Sequence, residues 1–196
     1  MATRTRSKSA GGDSSGFGRT GVLAAAAVAG AAVGLAANYT RKIVVQNMAG
    51  GAGDWADALA AEHKAVLALF DKLEATGDEQ SWIRAHILTR IKNALGKHAL
   101  EEENVIYPAL REANEAHDAD ALNAEHGYIK TYLFELDNMP KAGPAWLQRA
   151  REFRAMLEEH MRMEEDEVFP AFRATLTEEQ SAKFSAAMAR EGMKLA

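Results

Sequence analysis

Six side chains stand where apolar ones belong: His63, His98, Glu102, His126, His160 and Glu164. Imidazole and carboxylate are metal ligands, and in a chain without cysteine any metal must sit on His, Asp or Glu. His98–Glu102 and His160–Glu164 are each spaced by four, which puts the two side chains one turn apart on a helix face. One ion can then be reached by both at bond lengths of about 2 Å.

A single inward histidine is ordinarily a hydrogen-bonded core residue. Four with two carboxylates are different, because burying unpaired ions costs on the order of several kcal/mol each and a bound cation pair removes that cost. A symmetric assignment gives His63 and His98 to one ion and His126 and His160 to the other, with Glu102 and Glu164 spanning both. Four mixed nitrogen and oxygen ligands leave positions open, which suits iron or manganese better than a closed structural zinc. His86 lies beside an apolar stripe and His117 in a connection, so both stand outside the site.

Four amphipathic helices must position these groups, over roughly 54–75, 79–107, 118–138 and 144–169. Their stripes read Leu59, His63, Val66, Phe70, Leu73; Ile83, Ile87, Ile91, Ala94, His98, Glu102, Val105; Leu122, His126, Ile129, Leu133, Leu136; and Trp146, Ala150, Phe153, Leu157, His160, Glu164, Val168. Short connections at Thr76–Asp78, near His117 and at Pro140–Pro144 predict antiparallel neighbours. The expected fold is all-α, an up-down-up-down four-helix bundle. Thr177 and Gln180 form a capping box for a short C-terminal helix.

The bundle is also internally repeated. His98 to Leu110 aligns without gaps on His160 to Phe172, pairing Glu102 with Glu164, Tyr107 with Phe169 and Pro108 with Pro170, and Ala61-Glu62-His63 aligns on Ala124-Glu125-His126. The domain is two related hairpins.

Composition divides the 196 residues. Residues 1–20 read as a disordered basic tail of charge +3, leaving −8 for the rest of a chain whose net charge is −5. That acidity argues against a nucleic-acid partner. Residues 21–40 read as an Ala/Gly-rich helix without charge, and the uncharged run from Thr20 to Thr40 would span about 32 Å. A membrane anchor, a cleaved signal sequence and an Ala-rich helix that is soluble or self-associates through Gly30 and Gly34 all fit it. The protein is accordingly expected to be membrane-associated, or otherwise cytoplasmic or exported. Residues 41–53 read as a flexible joint, 54–173 as the metal-binding bundle and 174–196 as a short C-terminal helix.

At His63, His98-xxx-Glu102 with Tyr107-Pro108, His126, and His160-xxx-Glu164 with Phe169-Pro170, the sequence resembles the hemerythrin-like, or HHE cation-binding, family over roughly residues 54–173. The resemblance implies a non-haem di-iron centre, two iron ions with an oxo or hydroxo bridge, manganese or zinc being alternatives. Its implied partner is dioxygen or a related small molecule such as nitric oxide or peroxide.

Two positions depart from the family pattern or divide it. Lys130 stands four residues after His126, where respiratory hemerythrins carry a further histidine, which counts against reversible oxygen carriage. The last carboxylate ligand in the family can also lie five residues after its histidine, here Glu165, but the repeat and the stripe both favour Glu164. A binding or sensing protein is expected ahead of a dedicated enzyme. An oxidoreductase acting on peroxide or oxygen, with Tyr107, Tyr128 or Tyr132 as donors, is the alternative, although aromatics at helical spacing ordinarily pack. A metal-stabilised structural protein is the third reading.

Overall fold

A computed structural model describes Met1 and residues 53–195 of the chain, so the expected basic tail, the expected helix over 21–40 with Gly30 and Gly34, and the joint up to residue 52 lie outside the described residues. Four long helices form the bundle: α1 (Trp55–Glu74), α2 (Ser81–Glu101), α4 (Ala116–Asn138) and α5 (Pro144–Met163). Helix α1 packs on α2 and α5, and α4 packs on α5 and α2, which is the ring expected of an up-down-up-down bundle. Among the described residues no helix is long and apolar enough to cross a membrane.

Helix α1 starts where its sequence says. The Asp54 carboxylate accepts from the Ala56 and Asp57 amides while Asp57 returns a bond to the Asp54 amide, so both ends of a capping box are made. Helix α5 starts on Pro144, whose missing N–H costs nothing in a first turn, after Gly143 at φ 80°, a value that favours glycine.

The second and fourth helices, expected to reach about residues 107 and 169, run on past Pro108 and Pro170. Each helix widens into a π-helical turn, π1 (Glu102–Ile106) and π2 (Glu164–Val168), and continues as α3 (Tyr107–Glu112) and α6 (Phe169–Thr175). Proline lacks an N–H and its ring crowds the carbonyl four residues back. Here the amides just before the prolines, Tyr107 and Phe169, reach back five residues to Glu102 O and Glu164 O. The strain is absorbed as one wide turn. His117, expected in a connection, lies instead in the first turn of α4, exposed; His86 is exposed on α2.

Two apolar clusters fill the bundle on either side of the polar layer. One gathers Val66, Phe70, Leu88, Ile91, Trp146 and Phe153; the other gathers Trp55, Leu59, Ile106, Tyr107, Leu122 and Phe169. Phe70 meets Phe153 edge-on at 5.5 Å, and Trp55 meets Phe169 at 5.4 Å, contacts worth about 0.5–1.5 kcal/mol each beyond the area they bury. The capping box at Thr177 and Gln180 opens α7 (Glu178–Gly192), which lies against α1, α2 and π1.

The far end holds an unanticipated buried cation. Arg84 is fully buried, donating to Thr76 Oγ1 and to the Lys141 and Gly143 carbonyls, with its guanidinium over the Trp146 ring. It ties the two loops at that end together.

Candidate metal centre

The repeat places one histidine on each of the four helices and one glutamate at each junction of a long helix with its π turn. All six are buried, and the two carboxylates have no exposed surface. They form two groups that share both glutamates: His63, His98, Glu102 and Glu164, and Glu102, His126, His160 and Glu164, with the ligand atoms of each group all within 4.8 Å of one another.

The imidazole Nε2 atoms face inward. His63 Nε2 is 3.0 Å from His98 Nε2 and 3.4 Å from Glu164 Oε2, and Glu102 Oε2 lies 3.1 Å from His98 Nε2 and 3.2 Å from His126 Nε2. His160 Nε2 is 3.5 Å from Glu164 Oε2. Glu102 Oε1, Glu164 Oε2 and His160 Nε2 are buried without a hydrogen-bond partner among the described residues. Buried polar atoms are almost always satisfied, so three orphans on residues of these two ligand groups mark a place for a cation, and a pair of ions fits this donor set.

Each Nδ1 atom is held by a second glutamate. Glu165 lies 2.7 Å from His63 Nδ1, Glu62 3.2 Å from His98, Glu103 2.9 Å from His126 and Glu125 2.7 Å from His160. A carboxylate accepting the Nδ1 proton fixes the ring and frees the Nε2 lone pair, the arrangement that metal-binding histidines need. The ring of four follows the repeat: Glu62 and Glu125 act within a hairpin, while Glu103 and Glu165 reach across to the other one. Glu165, weighed as an alternative inner carboxylate, lies in this outer ring, and Glu164 points inward.

Charge in the layer is coupled. Burial works to raise the Glu102 carboxyl, but His98 and His126 outweigh it and hold it well below the usual carboxylate range. Burial likewise disfavours charge on His98, yet Glu102, Glu62 and Glu164 drive its pKa well above the ordinary value, and His126 follows in the same direction. The carboxylates therefore favour positive charge beside them, the role that bound metal ions would take over. Outside the layer, burial and Glu62 push Glu101 up to about 7 against the opposing ammonium of Lys97, which bonds both glutamates.

Of the three tyrosines weighed from sequence, one reaches the centre. Tyr107 Oη is 3.2 Å from Glu102 Oε2, 2.9 Å from Glu164 Oε1 and 3.0 Å from His126 Nε2. Burial and the two carboxylates push its phenol well above the usual value, so it stays a protonated donor. The π turn brings it there, since the wider turn sets residue 107 over Glu102. Its repeat counterpart Phe169 has no hydroxyl, which makes the two halves chemically unequal. Tyr132 instead stacks on Phe153 under Arg149, and Tyr128 is exposed.

Lys130 does not enter the centre. It is exposed on α4 and donates to Glu103 Oε1 at 2.8 Å.

Comparison with known proteins agrees with this geometry. The sequence profile described as "Hemerythrin HHE cation binding domain" matches residues 55–172. A curated protein of Nostoc sp. (strain PCC 7120 / SAG 25.82 / UTEX 2576), named "DNA nickase", is 29% identical over 129 residues, covering 66% of this chain and 36% of its own length. The chain thus spans about a third of that relative. No solved structure matches it.

Proposed function

Since the chain belongs to the family of the hemerythrin HHE cation-binding domain, we propose that its bundle holds two iron ions on His63, His98, His126 and His160, bridged by Glu102 and Glu164, and takes up dioxygen or a related small molecule there. The observation that carries this reading is the pair of ligand groups sharing two fully buried carboxylates. Iron supplies the redox chemistry and the open positions when bound. The protein's own residues do the rest. The outer glutamates orient the imidazoles, the apolar clusters on both sides exclude water, and Tyr107 keeps a proton on Oη beside both bridging carboxylates.

Tyr107 favours a second reading, an oxidoreductase acting on peroxide or oxygen, because a phenol at that place can give up a proton or an electron. A visible band that appears on adding oxygen to the reduced, iron-loaded protein and disappears when the gas is removed supports binding. Sustained loss of peroxide supports the enzyme. A protein that gives neither band nor turnover overturns both.

The activity named for the Nostoc relative belongs to a chain about three times as long as the matched stretch. The −8 charge of this chain beyond residue 20 works against contact with a phosphate backbone. A supercoiled plasmid left intact by the iron-loaded protein agrees with this; nicking contradicts it. Membrane association through residues 21–40, with self-association through Gly30 and Gly34, completes the proposal. Retention in the membrane pellet after a carbonate wash supports it, and release contradicts it.

A further inference from the structure

The two halves of the centre guard their outer edges differently. Glu103 and Glu165 are repeat counterparts, each on a π turn and each bonded to the Nδ1 of a histidine on the other hairpin, His126 and His63. Glu103 Oε1 also accepts from Lys130. The counterpart of Lys130 on α1 is Leu67, which has no charge to offer. Glu165 keeps the bond to His63 as its one side-chain partner among the described residues.

Glu165 also lines a cavity of about 450 Å³ between the first turns of α1 and the π2–α6 segment. Ala56, Ala60 and Ala174 leave the space open, with Phe169 as a wall and Arg173, paired with Asp54 and Asp57, at the rim. In the other half the counterparts of Ala60 and Ala174 are the larger Asn123 and Glu112. Glu165 is 34% exposed and His63 behind it 1%, so one singly held carboxylate stands between this cavity and a buried imidazole of the centre.

We propose that this groove is the route by which metal ions and small ligands reach and leave the centre, and that Glu165 is its gate. Rotation of Glu165 into the groove uncovers His63. Lys130 pins Glu103 and keeps the matching edge at His126 closed. The residue that departs from the family pattern thereby gains a role, holding one door shut so that exchange runs through the other. This inference rests on the metal-centre reading above.

Full-length protein loaded with Co(II) tests it, with release to excess EDTA followed by visible absorbance and bound metal counted before mixing. Leu67→Lys gives Glu165 the clamp that Glu103 has, and Ala60→Leu fills the groove; each should slow release at least tenfold with Co(II) content unchanged. Lys130→Leu should speed release of one of the two ions. Release from Leu67→Lys at the wild-type rate, with full Co(II) content, overturns the gate and leaves the metal centre standing. Failure of the wild-type protein to take up Co(II) overturns the metal-centre reading itself. Position 67 is only partly buried against the core, so Leu67→Lys decides the matter even if Ala60→Leu does not fold.

Discussion

Lys130 Nζ lies 2.8 Å from Glu103 Oε1, the same oxygen that sits 2.9 Å from His126 Nδ1. The position where respiratory hemerythrins carry a further ligand is thus occupied by a cation that holds a ligand's supporting carboxylate. Glu103 is accordingly drawn below the usual carboxylate range, its partial burial outweighed by Lys130 and His126.

Lys130→Met leaves Glu103 free to swing away from His126. Loss of such a supporting partner typically costs about 10–100-fold in metal affinity. We expect a fall at the lower end of that range, about tenfold, for one ion of the pair, seen as two unequal steps in a Co(II) titration. Two equal, unshifted steps would contradict this role.

Glu164 and Glu165 are adjacent but face different ways, so glutamine at each should give different results. Glu164→Gln removes an oxygen shared by both ligand groups and should cost at least about 100-fold in affinity. Glu165→Gln weakens only the support of His63 and should cost about tenfold. Equilibrium dialysis against Co(II) measures both; a reversed order would place Glu165 on the metal.

Tyr107→Phe copies Phe169 of the other half and removes one buried hydroxyl without changing the packing. The hydroxyl has a single proton, which the Glu164 and Glu102 carboxylates share, so its loss should cost about 1–2 kcal/mol in all. The bundle should stay folded with both ions. Peroxide turnover that falls more than about tenfold supports the oxidoreductase reading, and an unchanged oxygen band with no turnover in either protein supports binding.

Arg84→Ala should separate stability from the site. It strips donors from Thr76, Lys141 and Gly143 at the far end of the bundle and should destabilise by about 1–3 kcal/mol or more in urea unfolding, the cost of leaving buried acceptors unsatisfied. Metal content of the folded fraction should not change. Loss of metal without loss of stability would contradict the division of labour.

The stripes, the capping boxes and the positions of the four histidines were legible because helical periodicity and the internal repeat report on the same surfaces. Tyr107 was harder to place: an aromatic at helical spacing reads as packing, and only the π turn puts its hydroxyl over Glu102. The repeat held the clue, since both aromatics precede a proline that a plain helix cannot accommodate. The outer carboxylates were visible only in part. Glu62 and Glu125 flank repeated histidines, but Glu103 and Glu165 act across hairpins, and that pairing depends on tertiary packing. Arg84 gave no signal, because a lone basic residue in a helix reads as solvent-exposed until the loops that bury it are in place.

A pair of metals on shared carboxylates can be counted. Protein made with ample iron and desalted should carry two iron ions per chain by elemental analysis. His63→Ala should retain one, and chelation should lower the melting temperature by several degrees, as loss of a ligand bound at about 100 times its Kd (about 2.7 kcal/mol) requires. A folded wild-type bundle with no bound metal, melting at the same temperature with and without chelator, would rule out the metal pair.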